Sequence, residues 1–245
     1  MKKTLLKIRI LIIKKLIDLN EKFFFENKIL KFYKKNSSCN LIIDVGANKG
    51  QSIDLFLKIN PNAIIHAFEP NNDLFELLTK KYKNNKNVFL YAFGISKTNG
   101  NKIFHQNIFD YTSSFESVNK NSKEVIKKAR ILGVKPTDLI SKSYQVTTIR
   151  LIDFINEKKL VNIDVLKIDT EGHEYECLEG LFYDNEFNKH FIKYIQIEKL
   201  NNDMYDSSKD SCRLLEENNF IKFKSFHHGF GNFDDIVFVN KNTKC

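Results

Sequence analysis

Cysteine is scarce and scattered in this chain. Cys39, Cys177, Cys212 and Cys245 stand far apart, with no C-x-x-C pair among them. That spacing argues against a disulfide framework and against a structural zinc site, so the four read as ordinary thiols of a reducing cytoplasm. No run of about 20 uninterrupted apolar residues occurs either, so no segment is expected to span a bilayer on its own. Proline appears three times. Pro61 and Pro70 fall between apolar runs, where a fixed φ and a missing N–H cost least, and Pro136 closes a "GVKP" break. What remains is 245 residues, 42% hydrophobic and 28% charged, enough for one large domain with a full core.

The net charge of +9 is unevenly spread. Residues 1–35 hold eleven Lys or Arg against three acids, net +8, which leaves about +1 for the rest. A nucleic-acid enzyme carries its basic surface around the site, so this distribution speaks for no nucleic-acid partner. The opening "MKKTLLKIRILIIKKLIDLNEKFFF" is not a secretory signal, since Lys7 and Arg9 interrupt its apolar stretch and no small-residue cleavage site follows. At about 100° per residue, Leu5, Ile8, Ile12, Leu16 and Leu19 share one broad face with Leu6, Ile10, Ile13 and Ile17, and lysines lie opposite. Residues 1–38 are therefore expected to be a basic amphipathic helical segment, packed on the domain or in a dimer interface, or in peripheral membrane contact through residues 1–35.

From residue 39 to 245, short apolar runs alternate with amphipathic stretches, the mark of an α/β fold. Residues 41–45, 63–68, 88–93, 163–168 and 192–197 are strand-like, several too continuously apolar for a sheet with one wet face. Helical patterns fall around residues 50–59, 71–84, 149–159, 174–182 and 207–218. The end differs: "FIKFKSFHH" and "DDIVFV" are joined by "GFGNF", too short for a crossover, which predicts an antiparallel hairpin. The expected architecture is a mainly parallel sheet covered by helices on both faces. An insertion at about 95–145 fits no such pattern and reads as a lid or binding loop.

Ligands of open parallel sheets bind beyond the carboxyl ends of the strands. The first strand ends in Asp44 and "GANKG", the second in Glu69, the fourth in Asp169 and "TEGHE", the fifth in Glu198. Gly46 and Gly50 allow a sharp turn and close backbone approach to a ligand, and Glu69 is placed to accept both hydroxyls of a ribose. NAD enzymes use the same device. Here, however, Asn48 replaces the second glycine of G-x-G-x-x-G and no third follows. Asp44 suits the ammonium and sulfonium of a methionine-type nucleoside, which favours S-adenosylmethionine over NAD.

The segments "IDVGANKGQS", "AFEP", "TSSF", "TTIRLIDFI", "IDVLKIDTEGHEYECLEGL", "YIQIE" and "DDIVFVN" follow one another as in the FkbM-type S-adenosylmethionine-dependent methyltransferases, which the chain resembles over residues 40–240. "LKIDTEGHEYECLEG" is close to that family's K-I-D-x-E-G-x-E signature. The resemblance implies the seven-stranded class I (Rossmann-like) methyltransferase fold and O-methylation of a hydroxyl on a glycan precursor or related small metabolite. It implies a cofactor loop of Asp44, Gly46, Asn48 and Gly50, with Glu69 on the ribose and Asp169 beside the transferred methyl. It also places Thr112 to Ser114 near cofactor or acceptor, and Ser114 is taken as a cofactor-binding candidate. Thr147 and Thr148 precede Ile149 and Arg150 where the family often has T-L-D, and His173 fills the variable place of E-G-x-E.

Methyl transfer to a hydroxyl needs alignment and proton removal. Asp169 and Glu171 are the first candidates for the base. His173 is a further one, since an imidazole with an unperturbed pKa of roughly 6.5 needs little tuning; its bland alternative is a surface histidine on a first helical turn. Lys167, inside an apparent central strand, shares a face with Asp169 and calls for a carboxylate partner, with Glu198 one candidate. His227 and His228 face opposite sides of a regular strand, so at most one reaches the site. Asp169, Glu171, Glu198 and a histidine suit Mg²⁺ or Mn²⁺ in ligand type, but no spacing requires a metal. The competing readings are an NAD-linked oxidoreductase and a catalytically silent nucleoside-binding protein.

Overall fold

The computed structural model describes residues 6, 9–13, 15, 16, 26–108, 113–183, 187, 190–201, 203–205, 209–228 and 232–243. Most of residues 1–25, together with Thr112, lies outside the described residues. Residues 9–13, 15 and 16 are helical, and α1 (Glu26–Asn36) follows. Among the described residues no helix is long and apolar enough to cross a membrane.

The main sheet contains β1 (Leu41–Val45), β2 (Ile64–Phe68), β3 (Val88–Tyr91), β7 (Asn162–Ile168), β8 (Phe191–Leu200), β9 (Phe220–His227) and β10 (Phe233–Asn240). Its seven strands run in the order β3-β2-β1-β7-β8-β10-β9. The first five are parallel neighbours. β10 enters antiparallel to both β8 and β9, as the short "GFGNF" connection requires. β3 stops at Tyr91, two residues earlier than its apolar run.

Period-two burial explains why these runs are sheet. Ile43, Val45, Leu166 and Ile168 face one core, built with Leu151, Phe154 and Ile155 of α5 (Leu151–Glu157) and Cys177, Leu178 and Leu181 of α6 (Glu174–Leu181). Ile42 and Val165 face the other, with Ile29 and Tyr33 of α1, Ile53 and Phe56 of α2 (Gln51–Ile59), and Leu78 and Tyr82 of α3 (Asn72–Tyr82). Helices thus cover both faces, and α1 is part of the second core. α5 is shorter than the 149–159 pattern because Ile149 still pairs in a strand. α7 (Ser211–Glu217) begins later than residue 207, where Asp210 caps it through Cys212 N and Arg213 N.

The 95–145 stretch is not a structureless loop. β4 (Gly94–Ile95), β5 (Gly100–Asn107) and β6 (Ile140–Ile149) form a second sheet in the order β4-β6-β5. Between β5 and β6 lies α4 (Lys123–Leu132). Its Ser122 cap accepts from Val125 N at 3.1 Å, and Gly133, at φ 73, ends it. Val125, Ala129 and Leu132 are its buried stripe.

Candidate active site

The carboxyl ends of β1, β2, β7 and β8 open into a cleft of about 920 Å³, near the upper end for small-molecule sites. Gly46, Ala47, Asn48, Glu69, Asp169, Glu171 and Glu198 are among the residues that line it. Gly46 sits at φ 86, and a Cβ there would overlap the carbonyl oxygen of Asp169. Only glycine permits the β1 turn to lie against the end of β7 while holding that φ. Gly50, at φ 81, stands at the head of α2 with no side-chain cap.

Glu69 is 4% exposed. Its Oε2 accepts from Asn48 N at 2.7 Å and its Oε1 from Asn71 N at 2.8 Å. Burial pushes its carboxyl up to about 7, against the pull of those two N–H donors. Each oxygen keeps a lone pair for a ligand hydroxyl. The side chain thus ties the glycine loop to the β2 turn and still faces the cleft.

Asp44 lies deeper. It is fully buried and does not line the cleft. Oδ2 accepts from Ser52 Oγ at 2.7 Å, while Oδ1 makes no hydrogen bond and stands 3.9 Å from Lys167 Nζ. Burial raises its carboxyl, partly offset by Lys167 and Ser52. Asp44 and Lys167 are register partners on β1 and β7. Lys167 also donates to Asp169 Oδ2 at 2.8 Å. Burial opposes its charge, but Asp169 and Asp44 overcome that and hold the ammonium above the ordinary lysine range. The carboxylate partners expected for this lysine are therefore Asp169 and Asp44 rather than Glu198.

Asp169, Glu171 and Glu198 present carboxylate oxygens that all lie within 4.8 Å of one another. Burial pushes Glu171 up to about 8, and the charges of Asp169 and Glu174 add to it. Glu198 is held well above the carboxylate range by burial and then by Glu171 and Asp169, and its Oε2 has no hydrogen-bond partner. Glu171 sits at φ 55 in a turn closed by Glu174, whose Oε1 accepts from Thr170 N, Thr170 Oγ1 and Gly172 N. Three crowded acids in ligand reach fit a divalent cation in donor type, although one of them already holds an ammonium.

His173 is neither a surface histidine nor a cleft residue. It is fully buried, with Nδ1 at 2.6 Å from Glu116 Oε1 and Nε2 at 3.0 Å from Ser96 Oγ. Burial lowers its pKa against the pull of Glu116. The ring pins the second sheet and the following loop to α6, which leaves it no reach to an acceptor. Ser114 is also enclosed: its Oγ donates to Thr170 O at 3.1 Å and accepts from Glu116 N. Its neighbour Ser113 is the one that lines the cleft. Of the two terminal histidines, His228 lines the cleft and meets Asp235 Oδ2 at 2.6 Å, whereas His227 is exposed beside Asp234. Asp235 in turn accepts from Gln196, which accepts from Tyr33. Asp235 and Gln196 lie within the "DDIVFVN" and "YIQIE" segments, but neither stood out as a site residue; pairing of β10 with β8 brings them together at the cleft.

A parallel sheet that ends in an antiparallel hairpin, with a glycine turn after its first strand and an acid after its second, defines a class I S-adenosylmethionine-dependent methyltransferase. The Methyltransferase FkbM domain model matches residues 44–222, and the chain belongs to that family. S-Adenosylmethionine is accordingly its cofactor, which closes the dehydrogenase reading. No curated protein matches the chain in sequence. Solved structures with a distant likeness include M. capricolum TrmK in complex with S-adenosyl-homocysteine, 14% identical over 87% of this chain and 68% of that one, TM-score 0.46. Another is the precorrin-6y C5,15-methyltransferase of Geobacter metallireducens GS-15, 11% identical over 88% and 87%, TM-score 0.47. A third is Aeropyrum pernix fibrillarin with natively bound S-adenosyl-L-methionine, 11% identical over 82% and 67%, TM-score 0.44.

The cleft fits that cofactor. Gly46 brings bare backbone to the cleft wall, Asn48 Oδ1 is buried without a hydrogen bond, and Glu69 keeps acceptor capacity.

Proposed function

We propose that the enzyme is an O-methyltransferase acting on a hydroxyl of a glycan precursor or related small metabolite. Glu171 carries the reading: a half-buried carboxyl pushed up to about 8, beside Asp169 and Glu198 in the cleft. Such a group takes a proton from a reacting alcohol near neutral pH.

In this reading Gly46, Asn48 and Gly50 hold the cofactor and Glu69 its ribose hydroxyls. Asp44 acts from behind the loop as a fixed negative charge. S-Adenosylmethionine supplies an electrophilic methyl on a sulfonium. With that group bound, Glu171 would take the proton of the acceptor hydroxyl as its oxygen is methylated. Asp169, with Oδ2 committed to Lys167, orients the acceptor.

Glu69→Ala is expected to lose S-adenosylhomocysteine affinity, whereas Asp169→Ala keeps most of it and loses turnover. Equal binding losses would refute this division. Incubation with methyl-labelled cofactor and an extract of nucleotide sugars and lipid-linked glycans is expected to label the glycan pool. Label entering protein or RNA instead sinks the assignment.

A further inference from the structure

Two elements border the mouth of the cleft, and both leave apolar side chains in water. From one side, Ile13 and Leu16 line the cleft, while Leu11 and Ile12 of the same segment are 68% and 54% exposed. From the other, α4 sets Val125 and Leu132 into the wall and leaves Ile126 and Ile131 41% and 53% exposed. The Arg9 guanidinium comes up against Gly133 at the end of α4, which brings the two elements together. Single exposed apolar residues are ordinary, but such residues on both borders of one cleft mark a docking surface.

Charge selects the occupant. Arg9 and Lys15 are exposed within the first element, and Lys120, Lys127 and Lys128 line the cleft on the other side. Residues 1–35 carry net +8, against about +1 for the remainder. A second copy would set like charges face to face. An anionic lipid surface satisfies both features, with headgroups on the cations and the acyl boundary on the apolar side chains. The interior agrees, since Phe104, Val125, Leu132 and Met204 line the same cleft as the carboxylates with hydrocarbon.

We propose that residues 9–13, 15 and 16, together with α4, dock on an anionic lipid surface with the cleft mouth towards it, so that the acceptor is an amphiphile drawn from that surface. The identity of the acceptor rests on the O-methyltransferase reading above; docking itself does not, and the two are read separately.

The test is co-sedimentation of the full chain with vesicles of phosphatidylcholine, alone or mixed with phosphatidylglycerol. The expected result is salt-sensitive binding to the mixed vesicles only. In Leu11→Asp/Ile12→Asp, a pair outside the cleft lining, binding falls about 30-fold with S-adenosylhomocysteine affinity intact. Absence of binding to mixed vesicles overturns the docking, as do equal binding to neutral ones, an unaffected double variant, or exposed residues that instead close a dimer by sedimentation velocity. For the acceptor, a dispersed lipid extract given methyl-labelled cofactor is expected to yield label in the organic phase. Docking with label only in water-soluble product overturns the amphiphile and leaves methyl transfer standing.

Discussion

Replacing Lys167 by methionine tests the electrostatic centre of the site. The lysine side chain is 12% exposed and serves two acids, Asp169 at 2.8 Å and the fully buried Asp44 at 3.9 Å. Methionine fills nearly the same volume, so the change isolates the charge. Removing one partner of a buried pair costs about 3–5 kcal/mol. Asp169 is 34% exposed and water relieves it, which puts the expectation near the lower end, at about 3 kcal/mol. For a chain of this size that is a fall in Tm of about 6–12 °C. The pH dependence carries the sign. Asp44 is already raised by burial, and losing the lysine raises it further. A carboxyl raised on folding lets the native state bind the extra proton, so the deficit grows as pH rises above the ordinary carboxylate range. The wild-type lysine, itself raised, keeps its contribution through neutral pH and loses it only above the usual lysine range. Chemical denaturation of both proteins near neutral pH and at about pH 5 measures this. A deficit under about 1 kcal/mol, or one that grows on acidification, refutes the account.

Gly46→Ala is expected to lose S-adenosylhomocysteine binding, because the new Cβ meets the Asp169 carbonyl at φ 86; titration calorimetry with affinity within about threefold of wild type would refute it. Glu171→Gln is expected to lower kcat about 10²–10⁴-fold. In the wild type, turnover should fall as pH drops below about 8. Because this carboxyl is raised on folding, its ionisation costs stability as pH rises, so Glu171→Gln should melt higher than wild type in alkaline buffer; a lower melting point refutes burial as the cause. With Lys167 already balancing Asp169, exhaustive chelation is expected to leave turnover unchanged, and a loss restored by Mg²⁺ or Mn²⁺ would reverse that expectation.

The main strands were legible because burial on both faces forces continuous apolar runs, and the hairpin because five residues cannot carry a crossover. The second sheet was not. β5 and β6 alternate polar and apolar residues only loosely, with burial confined to Phe104, Asn107, Val146 and Thr148, so their period-two signal is weak. Strand-end acids were legible as a set, but the direction each takes was not. His173 shows why: whether a residue on a first helical turn faces the cleft or the protein depends on what packs above it, here Ser96, just past β4, and Glu116, in the loop after β5. Glu116 and Ser96 have no motif that announces them.

Lys167 could be anticipated as buried and paired, yet its partners depend on register. Asp44, Lys167 and Gln196 stand side by side on β1, β7 and β8, a row that one residue of slippage would break. That row also accounts for the division among the acids. One ammonium is shared by the two carboxylates it reaches, Asp44 behind the loop and Asp169 in the cleft. Glu171 and Glu198 stand close to Asp169, and among the described residues neither accepts a hydrogen bond from the lysine. Their affinity for a proton rises because they are buried and then because the neighbouring acids repel their charge. In the proposed mechanism the base for an alcohol thus arises where the positive charge of the β7 strand runs out, two residues beyond the aspartate at the end of the strand.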